Sequence, residues 1–515
     1  AFESSRSQQT MAAGVILLLL ALVIFLFDIS KADRRIFRTT VVLVLLLGFS
    51  LNSYYKMSLK AGADWLDEFL DRAEADSRLI TENADAMLYT VNDNDFYRIE
   101  EVGLDTTQNS SIQRGVYGTQ FYHSMTNPYI SEFIDYMYMN WPKDYDYEGV
   151  ESRSILEALA SVKYLFVGEG ADQERPFNYS KLVVSGNSPL GQVAMYEADT
   201  ALPLGYTYSE YLPFEKFEKM DPAERADAML NAAVMEESSF AESSVSSDSA
   251  DALESIESKG RIEISDNRFF VRGSGTVTLK LDALPESETY VVFDNLKYKG
   301  ITERESYDDG EWANLTEYEK NLVYREDRNS KPNVSSSLMV NYKDLSKIVE
   351  VLSPGADFYC GRSNFLVNLG YNEEAPDEVT ISFRNPGEYT FDSLKVISKP
   401  VENIAEGIEA RAEDVMTDTV IGVNTVRGTI SLDKDKILLM TVPYSTGWTV
   451  YVDGEKADLK RANIMYMAVE LTAGDHEIEL RYETPYLRIG AMMSLAGILM
   501  LAVLMIVRTI IKKKR

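Results

Sequence analysis

The stretch of this sequence best suited to chemistry is a glycine- and aromatic-rich segment, residues 115–128, with the sequence GVYGTQFYHSMTNP. Aromatic faces combined with hydroxyl and amide groups suit the binding of sugar rings. His123 lies in the middle of the segment, and an imidazole can act as an acid or a base near neutral pH. Two interpretations follow: a ligand-binding loop built around His123, or a surface loop that is packed for purely structural reasons.

The other motifs give no complete catalytic or metal-binding pattern. Residues 93–95 (DND) match the Asp-x-Asp pair that holds a metal on a nucleotide-sugar, but chance alone produces such a triplet in an acidic chain. Residues 308–311 (DDGE) lack a complete calcium-loop pattern and are typical of a turn. His476 lies on an apolar strand face next to a turn, which predicts a structural role. The sequence contains no phosphate-binding loop, dinucleotide fingerprint or nucleophile elbow.

Composition narrows the function classes further. The 515 residues include one cysteine, Cys360, and two histidines, which excludes an internal disulfide, a multi-cysteine zinc site and a multi-histidine metal centre. We therefore expect neither a bound metal nor a cofactor. The 81 acidic and 51 basic residues leave a net charge of −30, which argues against a nucleic-acid binder. With 45% hydrophobic residues the chain is too apolar to be disordered.

Three long apolar runs with uncharged centres predict transmembrane helices at residues 7–28, 36–55 and 487–508. A bilayer core about 30 Å thick needs about 20 mostly apolar helical residues, and about 17 is the lower end. The second run is close to that lower end. Buried helices of a soluble core are the alternative, but such continuous apolarity favours membrane spans.

Basic residues flanking these runs predict the orientation. Residues 31–38 hold four basic residues and one acidic residue, and the chain ends in KKKR at 512–515. The positive-inside rule places both segments in the cytoplasm, so that residues 56–486 are extracytoplasmic. This outer segment holds 40 basic and 78 acidic residues, a net charge of −38. Such a charge repels anionic polymers unless cations screen it, or it serves only to keep the segment soluble.

Residues 56–235 are predicted to form an α/β domain, because short apolar strands alternate with helical stretches. Strands are expected at residues 96–99, 162–167 and 193–196. Helices are expected at residues 64–83, 151–160 and 221–235, the last with Asp221 as its N-cap and Pro222 at its first position.

Residues 236–260 are rich in serine and acidic residues, which predicts a linker or exposed insertion. Apolar residues then alternate with period two, which predicts a β-sandwich domain at 261–402 and a second β-rich domain at 403–486. In the latter, Asp453-Gly454 predicts a type I′ hairpin turn, which needs two residues with positive φ. The predicted fold class is a membrane protein with three transmembrane helices and a large extracytoplasmic α+β ectodomain. That ectodomain is an α/β domain followed by one or two β-sandwich domains.

An ordered series of short motifs runs along most of the chain. It consists of DFYRI at 95–99, YHS at 122–124, VKYLFV at 162–167, LPLGY at 202–206, VPYSTGW at 442–448, VDG at 452–454, GDHEI at 474–478 and YETP at 482–485. With the apolar run that follows, this order resembles the C-terminal half of the YfhO family of bacterial membrane proteins. No single motif is diagnostic, so the order and the closing span carry the resemblance.

Members of that family resemble glycosyltransferases of the GT-C type. The resemblance implies a multi-pass enzyme of the bacterial cell membrane that takes a sugar from a polyprenyl-phosphate carrier and adds it to a cell-surface polymer such as lipoteichoic acid. The implied partners are the lipid bilayer, the lipid-linked sugar and the glycopolymer. Such enzymes keep a catalytic aspartate in the first outer loop of a bundle with many more spans. We therefore expect this chain to be the C-terminal part of a longer enzyme and to be inactive alone.

The same resemblance assigns site residues. Arg98 and Arg114 are predicted to contact phosphate or polymer anions, because a guanidinium pairs well with such groups. A sugar or acceptor pocket is predicted to be lined by Tyr117, Tyr122, His123 and Asn127. The alternative function is a non-catalytic, membrane-anchored surface protein whose β-sandwiches bind glycans. A third interpretation, an accessory subunit of a transporter, is disfavoured by the few polar residues in the spans.

Overall fold

The computed structural model describes residues 34–57, 87–88, 90–91, 93–104, 109–141, 143–188, 191–245, 250–356 and 358–514. The chain divides into two compact units, Ala1–Leu79 and Ile80–Arg515. In the first unit, helix α1 spans Arg34–Met57 and contains the predicted span 36–55. Apolar side chains along α1 are exposed, among them Ile36, Leu43, Leu46 and Phe49. The predicted span 7–28 and the predicted helix 64–83 lie outside the described residues.

The second unit opens with a mixed five-stranded sheet of order β2-β1-β5-β7-β6. Strand β5 lies at its centre, parallel to β1 and antiparallel to β7, and the apolar run that follows Lys163 is typical of a strand buried on both faces. The elements of this part are β1 Arg98–Val102, α2 Ser110–Arg114, β2 Tyr117–Gly118, β3 Gln120–Tyr122, α3 Pro128–Tyr136, β4 Asp146–Glu148, α4 Ser154–Leu159, β5 Val162–Gly168, β6 Lys181–Ser188, β7 Gly191–Glu197, β8 Gly205–Tyr208, β9 Glu210–Pro213, α5 Phe214–Phe217, α6 Pro222–Asn231 and β10 Ala233–Met235.

Most of the predicted elements of this part are confirmed. The strands expected at 162–167 and 193–196 are β5 and β7, and the helix expected at 151–160 is α4. Helix α6 begins as predicted, since the Asp221 side chain accepts a hydrogen bond from the Ala223 N–H at 3.1 Å. It ends at Asn231 rather than at residue 235, because the next buried residues pair in parallel with β9 as strand β10. Here tertiary pairing overrides the local helical pattern.

The middle of the unit consists of two sheets that share one hydrophobic core, to which Phe269, Val291 and Leu369 belong. One sheet has the order β16-β21-β14-β20-β17-β18, with β13 paired to β14, and the other has the order β12-β22-β15-β19. The elements are β11 Ala241–Glu242, β12 Ala250–Asp251, β13 Leu253–Ser265, β14 Arg268–Leu281, β15 Ser287–Asp294, β16 Lys297–Gly300, α7 Glu303–Ser306, α8 Asp309–Asn314, α9 Glu317–Asn329, β17 Ser336–Tyr342, β18 Leu345–Val351, β19 Phe365–Asn372, β20 Glu378–Phe383, β21 Gly387–Thr390 and β22 Ser393–Pro400.

The segment 236–260, predicted as a linker, differs from that expectation. Its second half enters strand β13, which pairs with β14 from Leu253 to Ser265. Strand β12 pairs with β22, and β11 pairs with β9. The polar composition is explained by exposure, because most side chains of β13 before residue 262 face solvent. A solvent-facing antiparallel strand needs few apolar residues, so its composition is the same as that of a linker. The prediction of a linker was therefore wrong for residues 253–260.

The C-terminal part contains two further sheets, with the orders β23-β24-β30-β26-β27 and β28-β29-β25-β8. Strand β8 belongs in sequence to the predicted α/β domain but pairs here with β25, so the segments 56–235 and 403–486 share a sheet. The Asp453-Gly454 turn is confirmed, with φ of 54° and 82° between β26 and β27. The elements are α10 Glu402–Arg411, β23 Thr417–Ile421, β24 Thr425–Leu432, β25 Lys436–Met440, β26 Trp448–Val452, β27 Glu455–Lys456, β28 Lys460–Ala462, β29 Tyr466–Leu471 and β30 Gly474–Tyr482.

A long apolar helix, α11, follows β30 and spans Leu487–Lys514. Within the described residues it is the one helix found long and apolar enough to cross a membrane, over Leu487–Ile511. Its apolar side chains are exposed along the whole of this stretch. So large an exposed apolar surface is typical of a helix solvated by lipid. The predicted span 487–508 lies in α11.

Candidate functional site

Arg98, a predicted anion contact, is held by the protein itself. Its Nη1 donates to the Ala160 carbonyl at 2.6 Å and to Thr441 Oγ1 at 2.9 Å, and its Nη2 donates to the Thr441 carbonyl at 2.6 Å. Burial lowers the pKa of this guanidinium. Arg98 therefore ties β1 to the C-terminal sheets, and its role as an anion contact stays a prediction.

The side chain of Arg114, the second predicted anion contact, is buried and is also bound by the protein itself. Its Nη1 forms an ion pair with Glu101 Oε1, and the two side chains are 1% and 2% exposed. The other Glu101 oxygen accepts a hydrogen bond from Ser110 at 2.7 Å. The guanidinium also lies 5.8 Å from the ring centre of Phe166. These contacts fasten helix α2 to the end of β1, and a contact between Arg114 and a ligand anion also stays a prediction.

Two residues of the predicted sugar pocket lie together at the surface. Tyr122 is exposed, and its ring meets that of Tyr145 edge-on at 5.4 Å. His123 is exposed, and its Nδ1 lies 2.7 Å from the Met125 carbonyl oxygen. The structure adds Phe358, whose ring lies 5.8 Å from that of Tyr145. We name Tyr122, Tyr145 and Phe358 the aromatic ledge.

The other two residues face elsewhere. Tyr117 packs against Phe96, with ring centres 5.1 Å apart. Asn127 is the N-cap of α3, where its Oδ1 accepts from the Tyr129 N–H at 3.0 Å and its Nδ2 donates to the Tyr444 carbonyl at 3.0 Å. Both groups of the Asn127 amide thus have protein partners. The structure brings Tyr122 and His123 together, whereas Asn127 has a clear structural role.

The remaining sequence motifs also have structural partners. His476 Nδ1 lies 2.7 Å from Asp453 Oδ2, which raises the pKa of the imidazole, and Nε2 lies 2.9 Å from the Thr472 carbonyl. Asp93 accepts hydrogen bonds from Lys163 and Tyr164. Asp308 and Glu311 form a helix capping box. Among the residues that the structure describes, no three His, Cys, Asp or Glu side chains are arranged to hold a metal ion.

The feature that sequence reasoning missed is a cleft of about 440 Å³, which we name the acidic cleft. It lies at the end of β1, between the segment that precedes α4 and the strands β18 and β19. Polar side chains from widely separated segments line it: Glu100, Gln120, Asn140, Glu151, Glu174, Lys347 and Asn368. Lys347 forms an ion pair with Glu174 across the cleft. A cleft of this volume is large enough for a small sugar.

Glu151 has the most unusual surroundings of the cleft carboxyls. Its backbone and that of Ser152 have positive φ, 60° and 55°, and the Asn368 Nδ2 holds this turn by donating to both carbonyls at 3.0 and 2.8 Å. Glu151 Oε1 accepts from the Asn140 N–H at 2.6 Å. Its Oε2 has no hydrogen-bond partner among the described residues and lies 4.0 Å from Arg153. Burial raises the pKa of Glu151 to about 7.

Glu100 is the second carboxyl with a raised pKa. It accepts from Thr119 Oγ1 at 2.5 Å and from the Val150 N–H at 3.1 Å. Behind it lies Glu157, which is completely buried and whose two oxygens accept no hydrogen bond from the described residues. Burial raises the pKa of Glu100 to about 7 and that of Glu157 well above its usual range. The pair therefore holds at least one proton at neutral pH.

These contacts define what the acidic cleft can do. A neutral carboxyl both donates and accepts hydrogen bonds, as the amide of Asn140 does, and the Oδ1 of Asn140 also has no partner among the described residues. Buried polar atoms without partners are rare and favour a ligand or a water molecule at the same place. The cleft can therefore bind a neutral, hydroxyl-rich ligand. No motif in the sequence marks it, because its residues are far apart along the chain.

Gly149 is required for the Glu100 position. Its φ is +98°, and a Cβ there would lie 2.3 Å from Glu100 Oε1. We expect Gly149→Ala to lower the free energy of unfolding by at least about 2 kcal/mol, from steric overlap and backbone strain together. Gly170→Ala is the matched control, because Gly170 has φ +81° but no atom within 4 Å of its added Cβ. Urea unfolding that shows equal losses for the two variants would contradict the close packing at Glu100.

Comparison with known proteins identifies relatives of the whole chain. Residues 2–494 match the family described as "Bacterial membrane protein YfhO". The "Uncharacterized protein YfhO" of Bacillus subtilis (strain 168) is 22% identical over 503 residues, which cover 95% of this chain and 52% of that protein. The chain thus spans about half the length of this relative.

Solved structures give only a distant likeness. Cryo-EM structures of the arabinofuranosyltransferase AftD from Mycobacteria align with TM-scores of 0.16 and 0.13 at 13% and 11% identity. They cover 33% and 41% of this chain and 14% and 21% of the AftD chains. At these scores the likeness supports no conclusion about fold or function. The match to the family over nearly the whole chain, in contrast, shows that this chain belongs to the YfhO family of bacterial membrane proteins.

Proposed function

We propose that this chain is the outer-face half of a membrane-bound glycosyltransferase and that its acidic cleft binds the sugar acceptor. The enzyme takes a sugar from a polyprenyl-phosphate carrier and adds it to a cell-surface polymer such as lipoteichoic acid. The catalytic aspartate lies in a membrane bundle that precedes the present sequence. Residues 56–486 face outward, with spans at 7–28, 36–55 and 487–508 and a cytoplasmic C-terminus.

Membership of a membrane-protein family and the exposed apolar helix α11 support the location at the membrane. The transfer reaction is the activity that the resemblance of the YfhO family to GT-C enzymes implies. The present chain contributes a folded part large enough to select an acceptor, joined directly to α11. Its charge of −38 over residues 56–486 repels the phosphates of such a polymer unless cations screen it, so the cleft is suited to the neutral, hydroxyl-bearing units of the polymer.

The observation that carries the acceptor assignment is the pair of polar atoms at the cleft that form no hydrogen bond with the described residues, Glu151 Oε2, which pairs with Arg153 only at 4.0 Å, and Asn140 Oδ1. An acceptor hydroxyl that donates to one of them satisfies the hydrogen-bonding capacity of a buried group. Protonated Glu151 can also donate to a hydroxyl oxygen. Because the pKa of Glu151 is about 7, acceptor binding through that donor weakens as the pH rises through 7.

The test uses the full-length protein in proteoliposomes, with a polyprenyl-phosphate-linked radiolabelled sugar and the isolated polymer as acceptor. Glu151→Gly suits the positive φ at this position and removes the carboxyl. We expect it to raise the KM for acceptor about tenfold, the effect of losing about 1.4 kcal/mol of hydrogen bonding, with the KM for donor unchanged. Glu151→Gln mimics the protonated acid and should restore acceptor binding while removing its decline above pH 7.

Glu455→Gln, at an exposed position of β27, is the control for the loss of one negative charge and should behave as wild type. An unchanged acceptor KM in Glu151→Gly would contradict the acceptor cleft. Absence of transfer by the wild-type protein with any polyprenyl-linked donor would contradict the transferase.

The aromatic ledge favours a second candidate function, a membrane-anchored protein that binds glycans without catalysis. Tyr122 and Phe358 are exposed, and aromatic faces of this kind can stack on sugar rings. Glycan binding by the wild-type protein in the absence of any sugar transfer, lost in Tyr122→Ala, would favour this function over the transferase.

A further inference from the structure

The end of the C-terminal sheets from which α11 departs carries unusually exposed apolar side chains. The hairpin of β23 and β24 turns at residues 422–424, and its tip residue Val423 is 99% exposed. Val420, on the same hairpin, is 64% exposed. The turn is well ordered, since the Gly422 N–H donates to the Thr425 carbonyl at 2.8 Å. A folded turn that presents valine to water needs a physical explanation.

This hairpin tip lies beside the last residues of β30. The Tyr482 N–H donates to the Asn424 carbonyl at 2.8 Å, so the turn and the end of β30 are directly joined. Trp448, the first residue of β26, pairs with Tyr482, and their ring centres are 5.1 Å apart. Tyr486, immediately before α11, is 81% exposed. We name Val420, Val423, Trp448, Tyr482 and Tyr486 the juxtamembrane edge.

Chain continuity fixes how far this edge can lie from the apolar helix. Four residues lie between Tyr482 and Leu487, so even a fully extended chain would span at most about 18 Å over the five steps from Cα to Cα. The connection is shorter than that, because the Leu487 N–H donates to the Thr484 carbonyl at 3.3 Å and closes a turn. The 25 residues of Leu487–Ile511 extend over about 37 Å, against a hydrocarbon core of about 30 Å. A helix of this length that spans the hydrocarbon core places its first residues at the level of the lipid headgroups.

Charge at the juxtamembrane edge differs from that of the rest of the outer segment. Arg427 and Arg481 both contact Glu479, at 2.7 and 2.5 Å, and Arg488 pairs with Glu483. These three arginines and two glutamates leave one positive charge in excess, whereas residues 56–486 together have a net charge of −38. Cationic side chains beside tyrosine and tryptophan are the usual composition of a protein surface at a bilayer interface.

We propose that the juxtamembrane edge is a lipid-binding surface: the β23–β24 turn inserts Val423 into the headgroup layer of the outer leaflet, with Trp448 and Tyr486 at the same depth. The edge thereby fixes the orientation of the folded part above the membrane, which a single connection to α11 could not do alone. This proposal is independent of the acceptor assignment, since it involves no residue of the acidic cleft.

The experiment uses the full-length protein carrying Cys360→Ser in lipid nanodiscs of phosphatidylcholine and phosphatidylglycerol. Val423→Cys is labelled with the environment-sensitive fluorophore NBD, and quenching is measured with lipids that carry a nitroxide on the headgroup or at acyl carbon 5. Val334→Cys, at an exposed position between α9 and β17, is the matched control. We expect a blue-shifted NBD emission at position 423 and at least threefold stronger lipid quenching than at position 334.

Val420→Cys provides a second site on the same hairpin and should give the same result at a shallower depth. Emission and quenching at both hairpin sites equal to those at position 334 would overturn the proposal. A blue shift without nitroxide quenching would overturn it as well, because the edge would then be covered by protein rather than by lipid.

Discussion

Replacing Arg98 by methionine is expected to lower the free energy of unfolding by about 2–4 kcal/mol, because three hydrogen bonds from a charged guanidinium are lost together. The guanidinium satisfies two carbonyl oxygens, of Ala160 and Thr441, and the hydroxyl of Thr441. Methionine fills a similar volume but donates no hydrogen bond, so these interior acceptors lose their partner. The measurement is urea unfolding of the detergent-solubilised full-length protein, followed by tryptophan fluorescence.

Arg268→Met is the control, because the Arg268 side chain is 45% exposed and pairs with Glu388 at the surface. An exposed pair contributes less than about 1 kcal/mol. A loss for Arg98→Met as small as that for Arg268→Met would mean that Arg98 is not needed in the interior. The prediction of an anion contact at this residue would then gain support.

The second large effect is a loss of stability as the pH rises from 5 to 8. Burial raises the pKa of Glu100 and Glu151 from 4.5 to about 7, so the folded protein binds more protons than the unfolded chain between these values. The contribution of these two carboxyls to the free energy of unfolding is therefore greatest below pH 4.5. It is lost as the pH rises from 4.5 through 7. A carboxyl shifted in this way contributes about 3 kcal/mol, and the two together about 3–6 kcal/mol. Urea midpoints at pH 5, 6, 7 and 8 measure the decline.

Glu100→Gln should reduce this decline by about 2–3 kcal/mol, the share of one such carboxyl, since glutamine accepts from the Val150 N–H without titrating. The exposed variant Glu455→Gln should retain the wild-type decline. His476, whose pKa is raised by Asp453, adds a smaller fall in the same direction that is common to all three proteins. Identical pH profiles for wild type and Glu100→Gln would contradict the proton held at the Glu100 and Glu157 pair.

The acidic cleft shows why part of the site could not be derived from the sequence. Glu100 and Glu151 are ordinary acidic residues in an acidic chain, and Lys347 and Asn368 lie about two hundred residues further on. Their meeting depends on how the two-sheet part packs against the α/β part. The raised pKa of Glu151 comes from burial, which a residue type alone does not reveal.

The predicted site residues show that residue type alone does not reveal whether a side chain can contact a ligand. The segment 115–128 was recognised by its residue types, and the structure does place Tyr122 and His123 at the surface. Asn127 and Arg98 also have side chains of a type that binds ligands. Their polar groups, however, are hydrogen-bonded to Tyr444 and Thr441, more than three hundred residues away. Whether a polar side chain is free for a ligand depends on neighbours that are distant in sequence.

The sequence by itself determined the features that depend on residues close together in the chain. These are the apolar run of α11, the period-two strands, the N-cap of α6, the Asp453-Gly454 turn and the motif order of the YfhO family. These features depend on backbone geometry and on the alternation of side chains over a few residues. Only the tertiary structure decided that residues 253–260 form a strand, that β8 joins the C-terminal sheet, and that the cleft carboxyls meet. The physical reason is that burial, strand pairing and the proton affinity of a carboxyl are set by contacts between segments far apart along the chain.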